Sequence, residues 1–299
     1  KGIQDSQLIT IDGKVMAVAF MANTQHLYVR TDVLKENGIA IPKTYEEVVA
    51  ASEKIRAAGK MKYPYAAAYK AGWNLAEEFV NMYIGHGGEF FKAGSAKPNI
   101  NNAKGVATLN MLKKLADLSN PDYLTHDSEA IKVEWEAGNV AIMTLWASRS
   151  GTLLDDDGDA KITAATKLVA PATVGGGNIP AATLWWDGFT LAKNRSDADA
   201  EASFRAMAHA ASSKEMVAKA ADQAVWLVEG FVPGPKSVGV IEAVKMGAKP
   251  YPMLPQMGLM HGALGSEIVE FLQGNESAEQ ALKDVEAAYM TKAKEQGFL

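Results

Sequence analysis

The sequence predicts an α/β protein built from two packed units. Strand-like apolar runs alternate with helix signals along the chain. The 299 residues exceed the roughly 100–200 of a single domain. No internal repeat, low-complexity tract or long linker separates the two units. The composition, 48% hydrophobic and 22% charged, is that of a globular chain. A net charge of −5 and the absence of any basic run argue against nucleic acid as a partner. No apolar stretch nears the roughly 20 residues that span a bilayer. The lack of cysteine excludes disulfides, thiolate metal sites and cysteine nucleophiles. The chain opens at Lys1 with no signal-peptide pattern, which predicts a processed or shortened chain.

The elements follow in order. After the turn Asp12-Gly13-Lys14, the run from Val15 to Met21 reads as a buried strand, and His26 to Arg30 continues as a second. Thr44 with Glu47 three residues later forms a capping box after Pro42. Val48, Ala51 and Ile55 then recur at helical spacing, and Gly59 suits the stop. Leu109, Leu112 and Ala116 line a helix after Asn101-Asn102. Ile131 and Trp135 share a helix ended by Gly138, and Val140 to Leu145 is a buried strand. Phe189 to Ala192 is another. Ser196 with Asp199 opens a helix containing Phe204 and Met207, and Ser277 with Gln280 opens the last. Trp226 is placed in a helix-like apolar pattern, as core.

Catalytic patterns are missing. No two of the five histidines stand three or four residues apart, so a helical two-histidine metal site is absent. The cluster Asp155-Asp156-Asp157-Gly158-Asp159 puts Ala160 where a calcium loop needs glycine and Thr166 where it needs glutamate, so it reads as a solvated turn. Gly175-Gly176-Gly177 lacks a phosphate-loop context and reads as a flexible connection. There is no G-x-S-x-G elbow. A glycosidase-like carboxylate pair is decided by distance, which spacing does not give. The glycosylation sequons at Asn194 and Asn275 overlap helix starts, and capping accounts for them.

The informative residues are aromatic. Trp73 precedes a helix, Trp146 follows an apolar strand, and Trp185-Trp186-Asp187-Gly188 precedes another. In open α/β sheets ligands bind beyond strand ends, so these positions favour a cleft. An indole face stacks on the C–H face of a sugar ring while polar neighbours bond its hydroxyls. Trp146 with Arg149, and Trp186 with Asp187, supply both halves. Tryptophan in such places also serves as plain core filler.

Several segments together resemble the family 1 extracellular solute-binding proteins, the sugar receptors of ATP-binding-cassette importers. They are Asp12 to Phe20, Leu27 to Leu34, Pro42 to Glu47, Trp135 to Met143, Asp187 to Lys193, Pro255 to Met257 and Ala278 to Asp284. The resemblance implies a two-lobed α/β periplasmic-binding-protein (type II) fold with hinge crossings, a receptor without catalysis, no cofactor and no metal. It implies a periplasmic or extracellular location and a membrane permease as partner. Its ligand positions fall at Trp73, with Asn74 beside it, and at Trp146. An aromatic expected after Pro255-Gln256-Met257 is replaced by His261. Asn23 and Thr24 lie where the crossing strand faces ligand, and Trp186 and Asp187 where a return strand enters the cleft.

Family members begin with βα units that build most of the first lobe, and this chain starts at the crossing strand. The resemblance therefore implies an incomplete first lobe (1–27 and 185–236) beside a near-complete second (28–184 and 237–299). Association with the missing fragment or with itself is expected. The expected ligand is a sugar or polyol. A sugar phosphate, drawn by Arg149, and a quaternary amine, caged by Trp185 and Trp186, are the alternatives within the receptor class. A carbohydrate-active enzyme is the alternative outside it.

Overall fold

The computed structural model describes residues 5–155 and 158–299. Among these residues nine strands fall into two sheets: β1 (Leu8–Ile11), β2 (Lys14–Asn23), β3 (Gln25–Arg30), β4 (Tyr65–Ala66), β5 (Ile142–Trp146), β6 (Thr166–Val169), β7 (Thr183–Phe189), β8 (Val225–Trp226) and β9 (Lys249–Pro250). The first sheet runs β1-β2-β7-β9, with β8 also pairing β2, and the second runs β4-β5-β3-β6. Successive strands β2 and β3 thus belong to different sheets, with Thr24 alone between them. The fold is α/β and two-lobed.

The central strands of the second sheet, β3 and β5, pack against a core on each face. Every residue of β3 is buried, and its side chains alternate as the pleat demands. Leu27 and Val29 join a large core with the helices Trp73–Gly85, Ala103–Ala116, Met257–Glu267 and Ala278–Glu295. Tyr28 points the other way, into a smaller core with Trp135, Met143 and Leu145.

Local signals explain where the helices begin. The Thr44 hydroxyl accepts from the Glu47 amide, and the Glu47 carboxylate accepts from the Thr44 amide, so Tyr45–Ala57 opens on a capping box. Gly59 (φ 78°) lies just past its end. Asn102 caps Ala103–Ala116, Ser196 caps Asp197–Ser212 and Ser277 caps Ala278–Glu295. Those serines belong to the two sequons, where capping accounts for the pattern.

Two elements differ from expectation. The strand expected over Phe189–Ala192 lies earlier, at Thr183–Phe189, because its ladder is written by β2: Asn23 faces Trp185 and Val18 faces Phe189. Trp226 lies on β8 opposite Met21 rather than in a helix, its indole donating to the Ala220 carbonyl. Asp156 and Asp157 of the acidic turn lie outside the described residues, while Asp159 caps Ala160–Ala165.

Candidate functional site

Where the sheets meet, five rings gather from five separate stretches of chain. Trp73 is the first residue of Trp73–Gly85, Trp146 ends β5, and Trp185 lies on β7. Tyr251 directly follows β9, and His261 lies on Met257–Glu267. Trp73 reaches Trp146 at 6.2 Å, Trp185 at 5.7 Å and His261 at 5.0 Å between ring centroids. Trp185 meets Trp146 edge-on at 5.9 Å and Tyr251 at 4.3 Å. Trp146 thus comes from the second sheet and Trp185 from the first. Trp73 is 50% exposed, an unusual state for an indole.

The backbone fixes this arrangement. Gly72 (φ 98°) donates its amide to the Gly265 carbonyl at 2.9 Å. A Cβ on Gly265 would collide with the Gly72 carbonyl, so only glycine lets the two segments touch. His261 then bridges the Tyr251 hydroxyl and the Trp73 carbonyl, each at 2.9 Å. Burial lowers its pKa, opposed by the bond to Trp73, so the ring stays neutral.

The sequence-named residues divide. Trp73, Trp146 and His261 stand together in the ring cluster, with Asn74 half-buried beside Trp73. Asn23 links the end of β2 to the turn after β5, exchanging bonds with the Ser148 side chain and amide. Thr24 is fully buried, its hydroxyl donating to the Thr183 carbonyl at 2.8 Å. Arg149 is ion-paired with Glu129. Trp186 and Asp187 follow Trp185 on β7, Asp187 exposed with burial of its carboxyl raising its pKa. Adjacent strand residues point to opposite faces, so Trp185, not Trp186, joins the rings. Tyr251 carried no sequence signal; it reaches the site because β9 pairs in parallel with β7.

Behind the rings lies a polar layer. The Trp185 indole donates toward Glu77 Oε1 (3.1 Å) and Thr183 Oγ1 (2.8 Å). Burial pushes Glu77 up to about 8, against the hydrogen bonds that reach it. Among the described residues no group of three or more His, Asp or Glu is arranged to hold a metal, and no helix is long and apolar enough to cross a membrane.

An α/β fold with strand crossings between two sheets, and rings from both at the junction, defines the class of two-lobed binding proteins. Residues 3–217 match the family model described as bacterial extracellular solute-binding protein. The chain belongs to that family. A probable ABC transporter-binding protein of Deinococcus radiodurans is 32% identical over 193 residues, 62% of this chain and 44% of that protein. The match thus spans less than half the length of that relative. Among solved structures, maltose-bound MalE3 of T. maritima aligns with a TM-score of 0.83 at 20% identity, over 97% of this chain and 76% of that one. A ribitol complex from Agrobacterium radiobacter K84 gives 0.79 at 19% identity, over 95% and 73%. A D-mannitol complex from Agrobacterium vitis S4 gives 0.79 at 17% identity, over 100% and 79%. At these identities the solved structures speak for the fold.

Proposed function

We infer that this chain is the solute receptor of an ABC importer, working on the periplasmic or extracellular side and handing its ligand to a membrane permease. The ligand is a sugar or polyol held in the cleft between lobes, the first near 1–27 with 185–236 and the second near 28–184 with 237–299, although Gln25–Leu27 pair in the second sheet and Lys249–Pro250 in the first. One observation carries this: rings from both sheets converge at the strand ends, with Trp73 half exposed. Stacking on indole faces suits the C–H surface of a neutral polyhydroxylated ligand. Ligand touching both lobes favours the closed state, which is the usual way such a fold signals occupancy.

Arg149 is engaged with Glu129, which favours a neutral ligand over a sugar phosphate. Maltose, ribitol and D-mannitol, named with the similar structures, are the natural first probes. An incomplete first lobe belongs to the same reading, supported by the exposed Val15 and Met16 on β2. Association with a covering segment or second copy would follow.

Calorimetry with maltose, ribitol and D-mannitol tests the assignment. Trp146→Ala should weaken binding of the accepted probe by about 2 kcal/mol, roughly thirtyfold, as for a buried aromatic anchor. Unchanged affinity in that variant would remove the ring cluster from the site. Product formation from oligosaccharides would point instead to an enzyme.

A further inference from the structure

Directly behind the rings, two neighbouring carboxyls are buried without a cation. Glu77 is 0% and Glu78 4% exposed. Neither forms an ion pair among the described residues. Glu77 Oε2 and Glu78 Oε1 have no hydrogen-bond partner. An ionised carboxylate in such a place is an uncompensated buried charge, which is strongly disfavoured.

Counting hydrogens locates the proton. Thr183 Oγ1 lies 2.8 Å from Glu77 Oε1 and 2.7 Å from Asn81 Oδ1, yet its hydroxyl has one hydrogen. Asn81 orients its amide nitrogen to donate to Gln25 Oε1 at 3.1 Å, leaving its oxygen toward Thr183 as an acceptor only. Thr183 therefore donates to Asn81. The hydrogen between Thr183 and Glu77 then comes from the Glu77 carboxyl. With that proton in place Thr183 Oγ1 donates to Asn81 and accepts both from Glu77 and from the Trp185 indole, the latter at 2.8 Å. The chain of bonds lies beside the β2–β3 junction, since the Thr24 hydroxyl holds the carbonyl of Thr183 at the start of β7.

We propose that Glu77 is a neutral positioning residue, donating its proton to Thr183 to fix the Trp185 indole, so that its ionisation frees the ring and weakens ligand binding. Burial supports this by pushing both Glu77 and Glu78 up to about 8. The surrounding groups supply no counter-charge. Glu78 lies beside Glu77 on the same helix, and Tyr251 faces Glu77 from the segment after β9. Met257–Glu267 brings neutral His261, and β3 brings His26, kept neutral by burial. Asp187 on β7 is exposed. Tyr45, Tyr65 and Tyr69 face Glu78. Ala103–Ala116 buries no charged residue against this helix. The ligand half of the proposal rests on the cleft reading above; the ring half does not.

Tryptophan fluorescence of the ligand-free protein, titrated from pH 6 to 9.5, tests the ring half. The native chain should show a one-proton step near pH 8. The step should vanish in Glu77→Gln and Trp185→Phe and persist in Glu78→Gln. Glu77→Gln should fold, since an amide donates to Thr183 as the neutral acid does. A flat native titration, a step surviving in Glu77→Gln, or a Glu77→Gln that fails to fold at pH 7 while Glu78→Gln folds would each overturn the proposal. Calorimetry with maltose then tests the ligand half. Affinity should fall about tenfold from pH 7 to pH 9 in the native chain, as for a single required proton, and hold steady in Glu77→Gln. A slope common to both would overturn it. Should maltose, ribitol and D-mannitol all fail to bind at any pH, the cleft reading falls while the fluorescence result still decides the role of Glu77.

Discussion

The two sheets are made of similar residues and live in different surroundings. All six residues of β3 are buried, whereas Ala19 is the one buried residue among the ten of β2. Neither of the two buried hydrophobic clusters draws on β1, β2, β7, β8 or the Asp197–Ser212 helix. Val15 and Met16 are 54% and 52% exposed. They border a groove of 490 Å³ shared with Phe189, Leu191, Phe204 and Met207. The molecular surface is 14544 Å², against roughly 12,200 Å² for a compact 31.9 kDa monomer. The second sheet is thus held by a sealed core. The first is held by its strand ladder, by Phe20 stacked on Phe189 at 4.6 Å, and by partial helix cover.

The largest effect should come from the sealed core. Phe79→Ala, at a fully buried position, should cost about 3–5 kcal/mol in denaturant unfolding. A loss below 1 kcal/mol would mean that this core is no better packed than the first sheet.

The next effect is a pH dependence confined to the second sheet. Burial pushes His26 on β3 down to about 4, against its backbone bonds. The folded chain keeps this ring neutral where the unfolded chain takes up a proton. Its contribution is therefore complete above pH 6.5 and is lost as pH falls toward 4, by about 3 kcal/mol. His26→Leu should flatten that part of the stability profile relative to the native chain; an unchanged slope would show the ring to be hydrated. The smallest effect is expected on β2. Met16→Ser should shift stability by no more than about 0.5 kcal/mol, as at ordinary surface positions. A larger loss, with a fall in mass by light scattering, would show this face to be covered in solution by another segment or copy.

Much of this architecture is legible in the sequence because its signals are local. Thr44 and Glu47 declare a helix start within four residues, and the apolar run through Leu145 declares a strand without reference to any partner. The misplaced strand at Phe189–Ala192 had no such internal mark. Its register comes from β2, and the irregularity between Ala19 and Met21 is set by pairing across more than 160 residues. The site divides in the same way. Trp73 and Trp146 flank their elements conspicuously. Which of Trp185 and Trp186 faces the junction depends on strand phase, and Tyr251 arrives only through a long-range parallel pairing. Glu77 and Glu78 were ordinary acidic residues in a helix until packing removed their solvent.

The single residue between β2 and β3 sets a lever. Ten residues at about 3.3 Å each give β2 a reach of about 33 Å, so a rotation of about 10° at Thr24 would sweep its far end through about 6 Å. The Thr24 hydroxyl on the Thr183 carbonyl ties the β2–β3 junction to the start of β7. A small torsional adjustment at Thr24 would thereby be amplified at the far rim of the first sheet.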